Sequence, residues 1–270
     1  MTIDAAEFDF LVKFIHEKSG IALGKDKHYL LESRLLSVIR LHNLDSINTL
    51  SKTLKTAANA NLVNDVIEAM TTNETSFFRD TKPFVYFHDI LMPEIMKQNK
   101  APFKVRLWSA ACSTGQEAYS LGMYILEKKH EYPGCTFEII GTDLDRNVVT
   151  KANSGLYSQF EVQRGLPIAL LLKYFTQEGD QWRVKPELKS FINFQAANLL
   201  TYTPIGHFDV VLCRNVLIYF DTETKQKVLQ KLISALKKPG GNLVVGSTEA
   251  VQGFNEVTTV AGFPGIYKLV

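Results

Sequence analysis

Four short runs of small, polar and charged residues hold the groups in this chain that could carry chemistry. The first is Ala110-Ala111-Cys112-Ser113-Thr114-Gly115-Gln116-Glu117, directly after the apolar run Phe103–Trp108. A turn of small residues between a strand and a helix lets a ligand approach the backbone, and the helix N-terminus beyond it offers free N–H groups. The second run, Gly141-Thr142-Asp143-Leu144-Asp145, ends another apolar segment. In nucleoside-binding sheets an acid at this place accepts hydrogen bonds from ribose hydroxyls. Asp143 follows Gly115 by 28 positions (143 − 115), room for one helix and one strand. The third run, Asn73-Glu74-Thr75-Ser76-Phe77-Phe78-Arg79-Asp80, sets Asn, Thr and Arg beside two aromatics and suits a ligand clamp. The fourth, Cys213–Asp221 (CRNVLIYFD), places Arg214, Asn215 and Tyr219 after the Phe208–Cys213 segment. Asn198, in Ala196-Ala197-Asn198-Leu199, is placed to meet an adenine edge.

Each run also has a plainer reading. The first is also consistent with an ordinary tight turn and an exposed glutamate. Either Asp143 or Asp145 suits the N-cap of the next helix; Asp145 is assigned to the cap and Asp143 to the ligand. The third run reads equally as a linker with core phenylalanines, Asp80 capping a helix whose first turn holds Pro83. Asp221 is assigned to the cap of the following helix. The ligand itself is narrowed by what is missing. Neither GxGxxG nor GKS or GKT occurs, which disfavours a dinucleotide pyrophosphate or a nucleotide phosphate. S-adenosylmethionine carries no phosphate and is positive at its sulfonium and amino group. A small-residue loop ending in Glu117 suits that ligand better.

The elements that must position these runs alternate along the chain. Residues 1–72 show helical stripes, with Phe8, Leu11 and Ile15, then Leu31, Leu35, Val38 and Ile39, then Leu62, Val63, Val66, Ile67 and Met70 at spacings of three and four. From residue 103 the pattern changes. Strands are expected at Phe103–Trp108, Thr136–Gly141, Phe191–Ala196, Phe208–Cys213, Leu243–Gly246 and Gly265–Leu269, with helices at about 117–130 and 221–238. Strands alternating with helices of this length indicate a mainly parallel, doubly wound α/β sheet. Residues 156–190, rich in Gly and Pro, break the rhythm and read as a small inserted antiparallel sheet with a helix at Leu166–Phe175. The expected domains are 1–72 and 73–270.

Composition agrees with such a chain. Its 270 residues are 46% apolar, enough for a sizeable core, and its formal net charge of +2 gives no sign of a nucleic-acid partner. Cys112, Cys135 and Cys213 are dispersed and form no CxxC pair, so buried thiols are expected rather than disulfides or a structural metal. No segment approaches the length of a membrane span, and the N-terminus MTIDAAEFDF has no secretory pattern. A cytoplasmic protein with no membrane insertion is expected.

In order and spacing, NETSFFRD, SAACSTGQEAYS, GTDLD, AANLL, CRNVLIYFD and a late GSTE resemble the chemotaxis receptor methyltransferase family, CheR, across nearly the whole chain. The resemblance implies a class I S-adenosylmethionine-dependent methyltransferase: a Rossmann-like doubly wound sheet, an N-terminal helical domain and a small inserted β-subdomain. It implies that Asn73, Thr75, Arg79, Glu117, Asp143, Asn198, Leu199, Arg214 and Asn215 form the cofactor site. Arg79 and Tyr219 would position the substrate, and no metal would take part. The implied activity is that of a protein-glutamate O-methyltransferase. It would esterify glutamates on the cytoplasmic helical domain of methyl-accepting receptors, leave S-adenosylhomocysteine, and work as a monomer. One departure stands out. Relatives that bind a receptor's C-terminal pentapeptide carry a longer, Gly-containing loop where this chain has the short Thr176–Arg183 (TQEGDQWR), so independence of the pentapeptide is expected.

The implied reaction needs no general base, because a glutamate with a pKa near about 4.3 is already an ionised nucleophile. No His–Asp or Cys–His arrangement in the sequence suggests one. A dehydrogenase would need the missing glycine fingerprint, and a non-catalytic adaptor would have no use for Arg79, Glu117, Asp143 and Tyr219. Lys27 and Arg34, seven residues apart (34 − 27) in a helical stretch, are a candidate basic face for an acidic receptor helix.

Overall fold

The computed structural model describes residues 3–24, 27–57 and 59–270; Met1 and Thr2 of the opening segment lie outside the described residues. The chain divides into two compact units, residues 1–72 with 218–227, and residues 73–217 with 228–270. The segment that carries Tyr219 groups with the helical unit.

The first unit holds α1 (Ala5–Ser19), α2 (His28–Leu41), α3 (Ile47–Thr56) and α4 (Ala60–Met70). Each buries one stripe, for example Phe8, Leu11 and Ile15 on α1 and Leu62, Val66, Ile67 and Met70 on α4. Helices α1 and α2 each pack against α3 and α4. Ser46 Oγ accepts the Thr49 N–H at 3.1 Å to start α3, and Asn59 Oδ1 accepts the Leu62 N–H at 2.8 Å to start α4. Gly20, at φ 77°, closes α1. Arg34 is half-buried. Its guanidinium donates to the Met70 and Thr71 carbonyls at 2.7 Å each and to the Thr72 hydroxyl at 3.0 Å. It satisfies the carbonyls at the end of α4, and these neutral acceptors leave its charge in place.

The second unit opens with α5 (Lys82–Tyr86), a π-helical turn at Phe87–Leu91, and α6 (Met92–Gln98). The succession that follows is β1 (Phe103–Ala110), α7 (Gln116–Glu127), β2 (Cys135–Asp143), α8 (Arg146–Ser154), β3 (Leu156–Ser158), α9 (Gln159–Gln163) and α10 (Ile168–Tyr174). It continues with β4 (Phe175–Glu178), β5 (Gln181–Val184), α11 (Pro186–Lys189), β6 (Ile192–Ala196), β7 (Val210–Cys213), α12 (Thr222–Ser234), β8 (Asn242–Val245), β9 (Val257–Thr259) and β10 (Ile266–Leu269). The main sheet runs β6-β2-β1-β7-β8-β10-β9. Strands β6, β2, β1, β7 and β8 are parallel, and β10 is antiparallel to β8 and β9. The two halves of the doubly wound sheet meet where β1 lies between β2 and β7, the switch point at which such sheets bind ligands. Every residue of β7 and of β8 is buried, as parallel strands covered on both faces require.

The insertion is a three-stranded antiparallel sheet, β3-β5-β4, with α9 and α10. Ser158 and Glu161 form a capping box at the start of α9. Strands β4 and β5 are joined by the two-residue turn Gly179-Asp180, with Glu178 paired to Gln181. Gly179 takes φ 63°, the left-handed conformation such hairpin turns require.

Candidate functional site

All five parallel strands of the main sheet end on the same side, and three of the four runs singled out above, with the Asn198 segment, leave from their carboxyl ends. Strand β1 delivers 110–117, β2 delivers Asp143, β6 delivers 197–202 and β7 delivers Arg214 and Asn215. The backbone there is unusual. Ala111, Ser113 and Asn215 take φ values of 61°, 50° and 60°, and Phe78 and Asp80 take 48° and 59°. Left-handed conformations are uncommon for non-glycine residues, and their clustering marks a site held in shape by its surroundings.

Asp143 is buried at the end of β2. Its two oxygens accept the backbone N–H of Asp145 at 3.0 Å and of Ser113 at 2.8 Å. Burial raises its carboxyl above the ordinary aspartate range, outweighing those two amides. A carboxylate can accept about four hydrogen bonds, so acceptor capacity remains for a diol. Asp145 takes the cap, its Oδ1 accepting the Asn147 and Val148 amides at 2.8 and 3.3 Å. Its Oδ2 accepts from Asn73 Nδ2 at 2.7 Å, and the Asn73 carbonyl accepts the Ser113 hydroxyl at 2.8 Å. The 73–80 run is thereby tied to the β1 and β2 loops.

Gly115 and Gly141 are points of close packing. A Cβ on Gly115 would stand 2.9 Å from the Ala152 Cβ and 3.0 Å from the Phe194 ring. A Cβ on Gly141 would stand 2.4 Å from the same ring. The glycines let the β1 turn and β2 close on Phe194 of β6.

Arg214 is the hub of the site. Its side chain is only 4% exposed, and Nη1 donates to Glu117 Oε2 at 2.9 Å. Nη2 donates to Asp80 Oδ2 at 2.5 Å and to the Arg79 carbonyl at 2.9 Å. Nε is buried without a hydrogen-bond partner among the described residues. Glu117 receives a second bond from the Ser109 hydroxyl at 2.7 Å. Asp80 corrects an expectation: it is an ion-pair acceptor for Arg214, and the residue preceding α5 is Thr81, without a capping side chain. The Arg79 side chain is exposed and reaches the Glu74 carbonyl at 3.3 Å. Thr75 is half-buried in the same run.

The β6 loop folds around Asn198. Its carbonyl accepts from Thr201 and Tyr202 at 3.0 and 2.7 Å, and its Oδ1 accepts the Leu200 N–H at 2.9 Å. The Ala197 N–H donates to the Asp143 carbonyl at 2.7 Å, which sets Asn198 and the half-buried Leu199 beside the end of β2.

Tyr219 belongs to the first unit. Its carbonyl accepts the Ala22 N–H at 2.9 Å. Asp221 caps α12, accepting the Thr224 N–H at 2.8 Å, and its other oxygen lies 2.5 Å from His16 Nε2 on α1. The Thr224 amide first, and the Thr224 hydroxyl and His16 after it, hold the Asp221 carboxyl below the ordinary range.

Glu249, outside the predicted site residues, accepts the Asn215 and Gly246 amides at 2.8 and 2.7 Å. The late GSTE motif was its only signal in the sequence. The cysteines are free and buried, and burial pushes the Cys112 and Cys213 thiols well above their ordinary pKa. They remain protonated at neutral pH and unreactive as nucleophiles. The cluster thus offers carboxylates for a cation and a diol, and a buried guanidinium N–H for an anionic oxygen.

Residues 73–265 match the family model described as the CheR methyltransferase SAM-binding domain, and residues 6–71 match the CheR methyltransferase all-alpha domain. Chemotaxis protein methyltransferase 1 of Pseudomonas aeruginosa is 39% identical over 272 residues, 98% of each chain. A chemotaxis protein methyltransferase of Vibrio parahaemolyticus is 39% identical over 275 residues, covering 100% of this chain and 98% of its own. No helix among the described residues is long and apolar enough to cross a membrane. With both family models matched in their order along the chain and its strands in the doubly wound arrangement, this protein belongs to the CheR methyltransferase family, residues 73–265 being its S-adenosylmethionine-binding domain.

Proposed function

We propose that this chain methylates glutamate side-chain carboxylates on the cytoplasmic helical domain of chemotaxis receptors, as a cytoplasmic monomer and without needing a receptor pentapeptide. The observation that carries the reading is the buried Arg214, ion-paired to Glu117 and Asp80 and keeping one N–H unpaired at the carboxyl ends of the strands. Asn73, Thr75, Arg79, Glu117, Asp143, Asn198, Leu199, Arg214 and Asn215 hold the cofactor. Asp143 takes the ribose hydroxyls, Glu117 faces the amino group, and Asn198 with Leu199 meets the adenine. Arg79 and Tyr219 orient the entering glutamate.

S-adenosylmethionine supplies, when bound, a methyl group activated on a sulfonium. What remains for the chain is alignment and exclusion of water, worth several kcal/mol when reacting groups are held in line. Glutamate enters ionised, so no side chain needs to take a proton from it. Arg214 already has two carboxylate partners, which moderates its pull on the nucleophilic oxygen. Tyr219 is suited to donating one hydrogen bond to the substrate carboxylate. The two-residue Gly179-Asp180 turn leaves little loop to wall a peptide groove, which supports pentapeptide independence.

The test is incubation of the purified chain with methyl-labelled cofactor and receptor-containing membranes, followed by mapping of the label. Label on glutamates of receptors lacking the pentapeptide is the expected result. Label only on pentapeptide-bearing receptors, or on other residue types, contradicts the reading.

A further inference from the structure

The motif that this function leaves unused is Gly246-Ser247-Thr248-Glu249, directly after β8. Glu249 is buried, at 7% exposure. Its Oε2 alone accepts two backbone amides, Gly246 at 2.7 Å and Asn215 at 2.8 Å, and its own N–H donates to the Gly246 carbonyl at 2.8 Å. Strands β7 and β8 pair as far as Cys213 opposite Val245. The two amides lie just past the end of that ladder, where neither has a strand partner.

Gly246 permits this closure. A Cβ there would stand 2.7 Å from Glu249 Oε2 and 3.0 Å from Asn215 Nδ2. The amide that Glu249 holds is the peptide joining Arg214 to Asn215, and Asn215 is in the left-handed conformation at φ 60°. The plane of that peptide sets the direction in which both side chains leave the chain. Arg214 is then gripped at its head by Glu117, Asp80 and the Arg79 carbonyl, and at its backbone by Glu249.

We propose that Glu249 is a positioning residue for methyl transfer, fixing the Arg214–Asn215 peptide so that both side chains meet the cofactor. This rests on the reading of Arg214 and Asn215 as cofactor residues. The role is geometric. The carbonyl of a glutamine can accept the same two amides, whereas an aspartate is one methylene too short to reach both.

The test is calorimetry of the full chain with S-adenosylhomocysteine, alongside steady-state methylation. Glu249→Ala and Glu249→Asp are expected to weaken binding tenfold or more (order of magnitude for lost buried hydrogen bonds) and to raise the KM for the cofactor more than they lower kcat. Glu249→Gln should restore affinity to within a few fold. A residue that merely closed the strand ends would lower Tm and leave the affinity of the folded protein unchanged, and that outcome overturns the proposal, as does a glutamine variant no better than alanine. Should Glu249→Ala not fold, Glu249→Asp and Glu249→Gln decide by the same criteria. Asn215→Ala separates the two layers. Weakened binding there beside normal binding in Glu249→Ala defeats only the positioning role. Normal binding in Asn215→Ala defeats the reading of Asn215 and the proposal with it.

Discussion

Asp143, the proposed partner of the ribose hydroxyls, is a buried carboxylate at the end of β2. Desolvation raises its carboxyl despite the amides of Asp145 and Ser113. An acid whose folded pKa lies above its unfolded one binds its proton more tightly when folded. Its ionisation therefore removes stability as pH rises from the ordinary aspartate value of about 3.9 through the raised one. In the proposed site, ribose hydroxyls donating to the ionised form would offset that cost. Asp143→Ala should keep the fold and weaken S-adenosylhomocysteine binding by about 1.5–3 kcal/mol, the worth of charged hydrogen bonds. Wild-type affinity should also fall on acidification through the Asp143 titration and the variant's should not; calorimetry at stepped pH measures both. Tyr219→Phe should lower kcat more than it lowers cofactor affinity, because the ring packing survives and only the hydroxyl is lost. Weak cofactor binding with normal turnover at saturation would refute that role. The residues legible in the sequence were those with local logic. Asp145 caps a helix two and three residues away, and Asp143 ends a strand. Asp80 and Glu249 were not legible as partners of Arg214 and Asn215, because those partners lie 134 and 34 positions away and no periodicity links them.

At the scale of elements, most of the sheet could be read because parallel strands buried on both faces are continuous apolar runs. Strands β1, β2, β6, β7, β8 and β10 fall within two residues of their expected bounds. Strand β9 did not, since Val257–Thr259 is a three-residue edge strand, mostly exposed, with no apolar run to announce it. The bonds from Arg34 to the carbonyls at the end of α4 were not legible for a related reason: helical spacing places a residue on a face but says nothing of partners 36 and 37 positions away. The packing role of Gly141 has no local signal in the sequence: it is opposite Phe194 in register and accommodates its ring. Gly141→Ala should therefore destabilise by about 1–3 kcal/mol through overpacking. Denaturant unfolding would show this as a lower midpoint with an unchanged slope. Wild-type stability in the variant would mean that Phe194 repacks freely.

At the scale of the molecule, residues 218–227, with Tyr219, group with the helical unit, and the proposed cofactor residues Asp143, Arg214 and Asn215 lie in the other. The insertion, closed by a two-residue turn, has no extended loop at that end. A peptide ending in a receptor's tethering sequence should show no binding by calorimetry at tens of micromolar. Binding in the low micromolar range, abolished by substitutions within 156–190, would mean that the β4–β5 hairpin retains a groove. In the proposed reaction the nucleophile is a carboxylate, so the product is a methyl ester. The most direct measurement is to transfer labelled methyl to receptor and treat the product with mild base. Esters hydrolyse to methanol under these conditions, whereas methylated amines and ethers survive. Essentially all transferred label is expected to be released as volatile methanol. Base-stable label on receptor, from a folded chain that binds S-adenosylhomocysteine, would contradict it.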